Sequence, residues 1–470
     1  MKTQKLTVLE KIGFGAGDAA VNVVWSSMAL ILTFFYTDVF GLKTIDLAML
    51  TLLPRLIDAF ADVAMGMITD KYTTRWGRYR PYLLFFSVPF GLSIMMVFTT
   101  PELAYNLKLL YAYATYIAMM LVFTAVTIPY ISLPGVITAD PQERLSANGY
   151  RLFFAKVAAL AVTLFVPLLA ASFGVGQLAR GYQVAMAIMA GIATLLFLFC
   201  FFITTERVQH KIDEKPLSLQ LSLLFKNDQW RILAAVCVVG TVGYVIRGSV
   251  ALYYAKYYLH GGEIQFLTTG PLASVLDFCG FSRDSRLLPV FITTGVVANI
   301  LAMVASTWIT KRFCKIQLFR WTQVLVAVLS AAMYFWVKPG DVALAFVLFF
   351  LINFVVDLHA PVFWSAISEA VDYGEVHTGK RVAGMAFGGI SFCQKMGMSV
   401  AGGAVGWLLT YFNYIADKPQ SDFTLNGIAL LLTVIPGAFH LGMGLLMFKY
   451  RITDSYYKNM MKDSVAPVVM

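Results

Sequence analysis

A chain of 470 residues that is 59% hydrophobic and only 13% charged, with a mean hydropathy of +0.73, is excluded from the ordinary soluble class, where about a quarter of residues are charged. The net charge of +10 does not point to nucleic acid, because Lys and Arg gather in alternate loops between apolar blocks, the pattern that sets membrane orientation. Five scattered cysteines (Cys200, Cys237, Cys279, Cys314, Cys393) and five histidines show neither a disulfide framework nor metal-ligand spacing, so an enzyme is not expected.

In chain order, blocks long enough to cross about 30 Å of hydrocarbon predict twelve spans, at roughly 12–37, 45–69, 82–101, 109–134, 150–173, 181–204, 232–259, 287–309, 316–338, 341–367, 382–411 and 425–449. The opening MKTQKLTVLEK has no cleavable signal pattern, so the first block is expected to stay as a helix. Basic segments follow alternate spans, from Lys71 to Arg80, at Arg144 and Arg151, from Arg207 to Arg231, from Lys311 to Arg320, at Lys380 and Arg381, and from Lys449 to Lys462. Both termini are therefore expected in the cytoplasm. The polar stretch 204–231 separates two six-span halves, read as bundles 1–205 and 232–470 joined by a cytoplasmic linker, 206–231. The end of span two (68–80) is echoed after span eight (309–320), and the loop after span four (140–151) after span ten (372–381). The fold expected is an all-α membrane protein of two six-helix bundles with a midplane site between them, the major facilitator architecture. The stretch 260–286 is a long outside connection, either an insertion or a lid. GGAVG, 402–406, has the spacing for close helix packing.

Span two carries charges inside its apolar run. At 100° per residue, Asp58 and Asp62 lie about 40° apart on one face, with Arg55 one turn before Asp58. Each charge at a bilayer centre costs roughly 3 kcal/mol, so such residues face an interior path. Two carboxylates with a hydroxyl suit a hard cation such as Na⁺, whereas a proton needs only one of the acids; the residues leave both open. Another reading is a structural network in which Arg55 neutralises one aspartate. Asp18 in span one, with Asn22 one turn on and Trp25 at the next, offers a polar and aromatic face to sugar hydroxyls. Arg151 is either a solute contact or a topology-setting charge, and Trp364 either a cavity aromatic or an interfacial anchor. Lys256 reads as a snorkelling end residue. Arg247, with Arg151 and Lys395, would favour an anionic solute if it lined the cavity. Asp357 and His359 are unusual on span ten, where His359 is either a proton-exchanging or a packing histidine.

Seven motifs lie in order along both halves: GFGAGD (13–18), FFYTDVFGL (34–42), RLIDAFAD (55–62), RWGRYRP (75–81), TIPYISLPGVITADPQER (127–144), YRLFFA (150–155) and DYGEVHTGKR (372–381). In these the chain resembles the glycoside–pentoside–hexuronide:cation symporter family of the major facilitator superfamily, whose best-known member is melibiose permease. The resemblance implies a transporter of the bacterial-type cytoplasmic (inner) membrane, in which Na⁺, Li⁺ or H⁺ drives uptake of a sugar or glycoside by alternating access. It implies cation-binding roles for Asp58, Asp62 and Thr124, and a sugar-binding role for Asp18 and Arg151. Lys395 in FCQKMG would stand beside the cation carboxylates, sharing a charge network with Arg55 and also reaching solute. Asn22, Thr127, Trp364 and Ser391 complete the expected solute set. Thr127 stands where melibiose permease has a second sugar-binding aspartate, Ile131 where it has a tryptophan, and Val63 where the family has a proline. Galactoside preference and the identity of the cation therefore do not follow. RWGRYRP and DYGEVHTGKR are read as gating loops. Arg75, Arg78, Arg80, Asp372, Glu375 and Arg381 would pair across the halves when the cavity opens outward and part when it opens inward. The expected partners are the sugar or glycoside, the coupling cation and the bilayer. No nucleic acid, no cofactor and no metal beyond Na⁺ is expected, and the protein is expected to act as a monomer. A same-fold exporter, a channel or a solute-sensing receptor with a non-sugar ligand is the alternative.

Overall fold

Span one starts where Thr7 caps it: the Thr7 hydroxyl accepts from Glu10 N (3.2 Å), and the Glu10 carboxylate accepts from Thr7 N (2.9 Å). The computed structural model describes residues 5–138, 141–207, 217–259, 269, 273–274, 277, 286–310, 312–379 and 382–465. Among them, ten helices are long and apolar enough to cross a membrane: Val8–Val39, Arg80–Val97, Tyr105–Pro134, Ser146–Phe173, Leu178–Ile203, Asp228–Tyr258, Leu287–Ser306, Lys315–Trp336, Val342–Thr378 and Asp422–Met447. The helices Thr44–Lys71 and Ala383–Tyr411, 28 and 29 residues long, complete the twelve as spans two and eleven. Apolar side chains such as Phe202, Trp308 and Phe335 stand exposed on the helices, as a lipid-facing surface requires.

Three boundaries differ from expectation. The helix of span five begins at Pro141, a residue suited to a first helical turn, so most of 140–151 is helix rather than loop. Arg151 therefore lies well inside that helix and not near its start. Span ten runs on to Thr378 and stops at Gly379, whose φ of +66° a glycine adopts without strain, so 372–378 is helical too. The stretch read as a linker contains the helix Leu217–Lys226 and the start of span seven, where the Asn227 side chain accepts from Trp230 N at 2.9 Å. Most of 260–286 lies outside the described residues.

Two spans are broken in their middles, and a proline explains each. Pro361 has no N–H for the Asp357 carbonyl, and span ten divides into Val342–Asp357 and Ala360–Thr378. Pro436 does the same to the Leu432 carbonyl, dividing span twelve at Thr433. The carbonyl freed in span twelve finds a partner, Arg247 Nε donating to Leu432 O at 3.2 Å, and within the break of span ten Ser306 Oγ donates to Leu358 O at 2.7 Å. Broken helices are tolerated in a membrane where other protein groups satisfy the backbone or a cavity adjoins it.

The two halves meet chiefly near their outer ends. Spans two and eleven approach so closely that a Cβ on Gly406 would lie 2.7 Å from Ala48 N and Thr44 O, and one on Gly402 2.9 Å from Thr51. That is the use of the glycine spacing in GGAVG. Ser249 Oγ of span seven donates to Ala29 O of span one at 3.2 Å. Beyond it, the Asp38 carboxylate has no exposed surface and takes Lys256 Nζ at 2.8 Å and Tyr414 Oη at 2.6 Å, with Tyr257 Oη alongside. Lys256 reaches Asp417 as well, at 2.7 Å. Lys256 thus ties the halves together instead of simply snorkelling. Burial, and then the nearby Asp38 charge, raise the Tyr414 phenol above its ordinary pKa, so it stays a donor. At the cytoplasmic ends, Lys11–Glu143 (2.9 Å), Arg207–Glu10 and Lys315–Glu369 each join residues of one half. Of these ion pairs among the described residues, the one that crosses between the halves, Lys256–Asp38, lies on the outer side.

Asp38→Asn removes the carboxylate while Lys256 keeps Asp417. The seal should weaken by about 2 kcal/mol, or roughly thirtyfold in the opening equilibrium. A cysteine placed at Ala29, on the inner side of the seal, should then react much faster with a membrane-impermeant thiol reagent added from outside. An unchanged labelling rate would show that the cluster does not hold the seal.

Candidate functional site

The helical period sets Asp58 and Asp62 on one face of span two, and spans four and eleven bring the other groups to them. Thr124 Oγ1 lies 2.6 Å from Asp58 Oδ1 and 2.9 Å from Asp62 Oδ1. Its single proton can serve only one of those oxygens at a time. Lys395, from the other half of the molecule, holds Asp58 Oδ2 at 2.9 Å and contacts Asp62 Oδ2 directly. Two carboxylates and one ammonium leave one negative charge over, in a cluster of oxygens suited to a hard monovalent cation. Asp58 is buried, whereas the Asp62 side chain keeps 21% of its surface exposed. The Arg55 side chain lies outside the described residues.

The expected solute residues fall into two places. Asp18 and Arg151 meet between spans one and five, with Arg151 Nε 3.6 Å from Asp18 Oδ2 and making no hydrogen bond. The Thr127 hydroxyl, on span four, is buried without a partner. Asn22 and Ser391 are turned to their own helices, donating to Asp18 O at 2.8 Å and Phe387 O at 3.2 Å. Trp364 is about half exposed and lines a cavity of about 280 Å³ between the halves. Span one contributes Trp25 and Ala29 to its wall, and the C-terminal half supplies most of the remainder. Gln394, next to Lys395, also borders it.

Sequence reasoning missed two residues of that wall. Lys156 of span five pairs with Asp357 of span ten at 3.3 Å, across the two halves. The signal was present in the sequence, since Lys156 is a lone lysine inside the apolar run AKVAALAV. His440 of span twelve lines the cavity too, and nothing in its apolar neighbourhood marks it. His359 borders the cavity while bonding through Nδ1 to the Val356 carbonyl and packing on Phe319, with ring centroids 4.7 Å apart. Arg247 is buried away from this cavity, at the break in span twelve, donating to Leu432 O at 3.2 Å and Ser330 Oγ at 2.8 Å. The backbone group freed by Pro436 accounts for it, so it gives no reason to expect an anionic solute.

The gating residues have partners within their own halves. The Glu206 carboxylate accepts the backbone N–H groups of Arg78, Tyr79 and Arg80 at 2.8, 2.8 and 2.9 Å. Arg80 also donates to Phe201 O at 2.7 Å, and the Arg75 guanidinium lies 4.2 Å from the Trp76 ring centroid. Gly77, at φ +112°, leaves room for Glu206: a Cβ there would stand 2.5 Å from its carboxyl carbon. Asp372 accepts from Tyr457 Oη at 2.6 Å, and Glu375 accepts through its backbone carbonyl the capping N–H of Gly379 at 2.8 Å. Arg381 lies outside the described residues.

The family profile described as MFS/sugar transport protein matches residues 13–454. The inner membrane symporter YicJ of Escherichia coli (strain K12) is 33% identical over 98% of this chain and 96% of its own. The putative glycoside/cation symporter YagG of the same strain is 35% identical, over 96% of this chain and 93% of its own. The isoprimeverose transporter of Lactiplantibacillus pentosus is 30% identical, over 91% and 85%. The fold is shared with a D-xylose-proton symporter (TM-score 0.61, 14% identity, 95% of this chain and 97% of that one). It is shared also with the nucleoside transporter NupG (TM-score 0.61, 14% identity, 95% and 100%). With agreement running nearly end to end, the chain belongs to the glycoside–pentoside–hexuronide:cation symporter family of the major facilitators, a multi-pass cytoplasmic-membrane transporter that couples a cation to sugar movement and not an enzyme.

Proposed function

We propose that Asp58, Asp62 and Thr124 seat the coupling cation, that Na⁺ or Li⁺ is that cation, and that Lys395 is the counter-charge it displaces. One observation carries this reading: a lysine from one half lies between two acids of the other, while one threonine hydroxyl stands within hydrogen-bond distance of both. An arriving cation takes over the carboxylate oxygens, frees Lys395, and so changes the contact between the halves. Because binding free energies are reciprocal, a cation that favours the solute-competent arrangement is itself bound more tightly when solute is present. A proton would need one acid and would give Thr124 no part, and for that reason the metal cation is the reading chosen.

The solute is proposed to be a neutral sugar or glycoside, held in the cavity between the halves with Asp18, Arg151, Thr127 and Trp364 contributing. Near the cavity each cation has its acid: Arg151 with Asp18, Lys156 with Asp357, Lys395 with Asp58 and Asp62. An anionic ring would meet those carboxylates without a free positive partner. Isoprimeverose, named for the 30% identical relative, is the first candidate to test. The cation seat and the outer seal are each completed by one chain, which supports a monomer as the working unit.

Asp58→Asn and Asp62→Asn should each abolish Na⁺-driven accumulation in membrane vesicles, reducing it to equilibration, while exchange of preloaded sugar continues. Undiminished concentrative uptake by both variants would remove the assignment. Thr124→Ala deletes one oxygen ligand and should raise the half-saturating Na⁺ concentration about tenfold, the equivalent of roughly 1.4 kcal/mol. If uptake instead follows an imposed pH gradient in the complete absence of Na⁺ and Li⁺, the proton takes their place.

A further inference from the structure

We propose that Lys156, Asp357 and His440 form a second recognition pole in the sugar cavity, one that binds the far ring of a neutral two-ring solute and sets which glycoside is carried. The inference rests on the cavity between the halves being the sugar path, as proposed above.

The break in span ten creates this pole. With Pro361 unable to bond the Asp357 carbonyl, the first half of the span ends at Asp357, at the cavity wall. Lys156 meets its carboxylate at 3.3 Å, and the two side chains keep 31% and 14% of their surface open. The pair is neutral overall yet accessible, and offers an ammonium donor beside a carboxylate acceptor. Adjacent sugar hydroxyls, each both donor and acceptor, complement that arrangement.

His440 adds a third group. It follows the break in span twelve, and its Nδ1 lies 2.9 Å from Gln323 Oε1. Gln323 directs its own amide nitrogen to Thr322 Oγ1, at 3.4 Å, so its oxygen accepts from Nδ1–H. Nε2 is then left with a lone pair, and it is buried with no hydrogen-bond partner. An unsatisfied buried acceptor on a residue that lines the cavity is costly unless a ligand hydroxyl reaches it. Trp25 and Trp364 in the same wall supply ring faces for the apolar side of a sugar.

The two pairs are set apart along their helices. Asp18 and Trp25 share a face of span one and are seven residues apart, a rise of about 10.5 Å. Arg151, paired with Asp18, is five residues from Lys156 on span five, a rise of about 7.5 Å. Lys156, Asp357 and His440 are in the wall of the cavity and Asp18 and Arg151 are not, and one ring of the solute is assigned to each place.

The test measures Na⁺-dependent thermal stabilisation and transport by purified, reconstituted protein. The probes are isoprimeverose, its one-ring components D-xylose and D-glucose, and a panel of other neutral disaccharides. The unmodified protein should bind at least one two-ring sugar tenfold or more tightly than either of that sugar's single rings. Asp357→Asn should lose at least tenfold for the two-ring sugar and less than threefold for the single ring, with Na⁺ binding unchanged. His440→Asn keeps a donor toward Gln323 and removes Nε2 with the outer edge of the ring; it should lose three- to tenfold for the two-ring sugar, and it carries the test if Asp357→Asn does not fold. The exchange K156D/D357K restores an ion pair with its polarity reversed. It should keep the halves joined yet alter the order of preference among the disaccharides. Unchanged preference in the His440 variant and in the exchange would reduce the pair to a structural tie and overturn the inference. Should the unmodified protein show no response to any sugar, with Na⁺ or without it, the assignment of the cavity itself fails, a result distinguishable from the other.

Discussion

The structure depends on two carboxylates placed one turn apart inside a membrane-spanning helix. Their charges cannot stay in hydrocarbon unanswered. The answer comes from the opposite half of the molecule, in the ammonium of Lys395, and from Thr124 of a neighbouring helix. A contact that holds two bundles together is thereby also the proposed ion site. Any cation that competes for those oxygens acts on the arrangement of the whole molecule, which is the physical content of coupling.

The same principle governs the outer face, with a different purpose. Asp38 is fully enclosed and takes its donors from span seven and from the segment after span eleven. The glycines of span eleven let it lie against the backbone of span two. Charge pairing and close backbone contact thus seal one side, while at the cytoplasmic ends the pairs named among the described residues lie within their own halves. A single rocking motion can exchange the two conditions.

Proline shapes the cavity between these regions. Pro361 and Pro436 each free a carbonyl; Arg247 takes the one at Leu432, and Ser306 holds the Leu358 carbonyl inside the break of span ten. Asp357 and His359, at the break in span ten, and His440, beyond the break in span twelve, are among the residues that reach the cavity. Arg247 shows how a charge in a spanning helix can serve the backbone and leave solute alone.

Much of this was legible without coordinates. Composition gave the membrane class, loop charges gave the orientation, and the helical period alone put Asp58 and Asp62 on one face, because each of these depends on residues close together in the chain. Helix ends were misplaced where a helix outran its apolar block, at Pro141–Tyr150 and at Asp372–Thr378, since polar residues there form helix as readily as loop. Lys395 beside Asp58 and Asp62 was implied by the family resemblance; for the other charges tertiary structure alone decided which meet. Lys395 and Asp62 are 333 positions apart, and Lys156 and Asp357 are 201 apart. No local pattern encodes such pairs: a lysine in an apolar helix announces that it needs a partner, and only the packing of twelve helices determines which partner it finds.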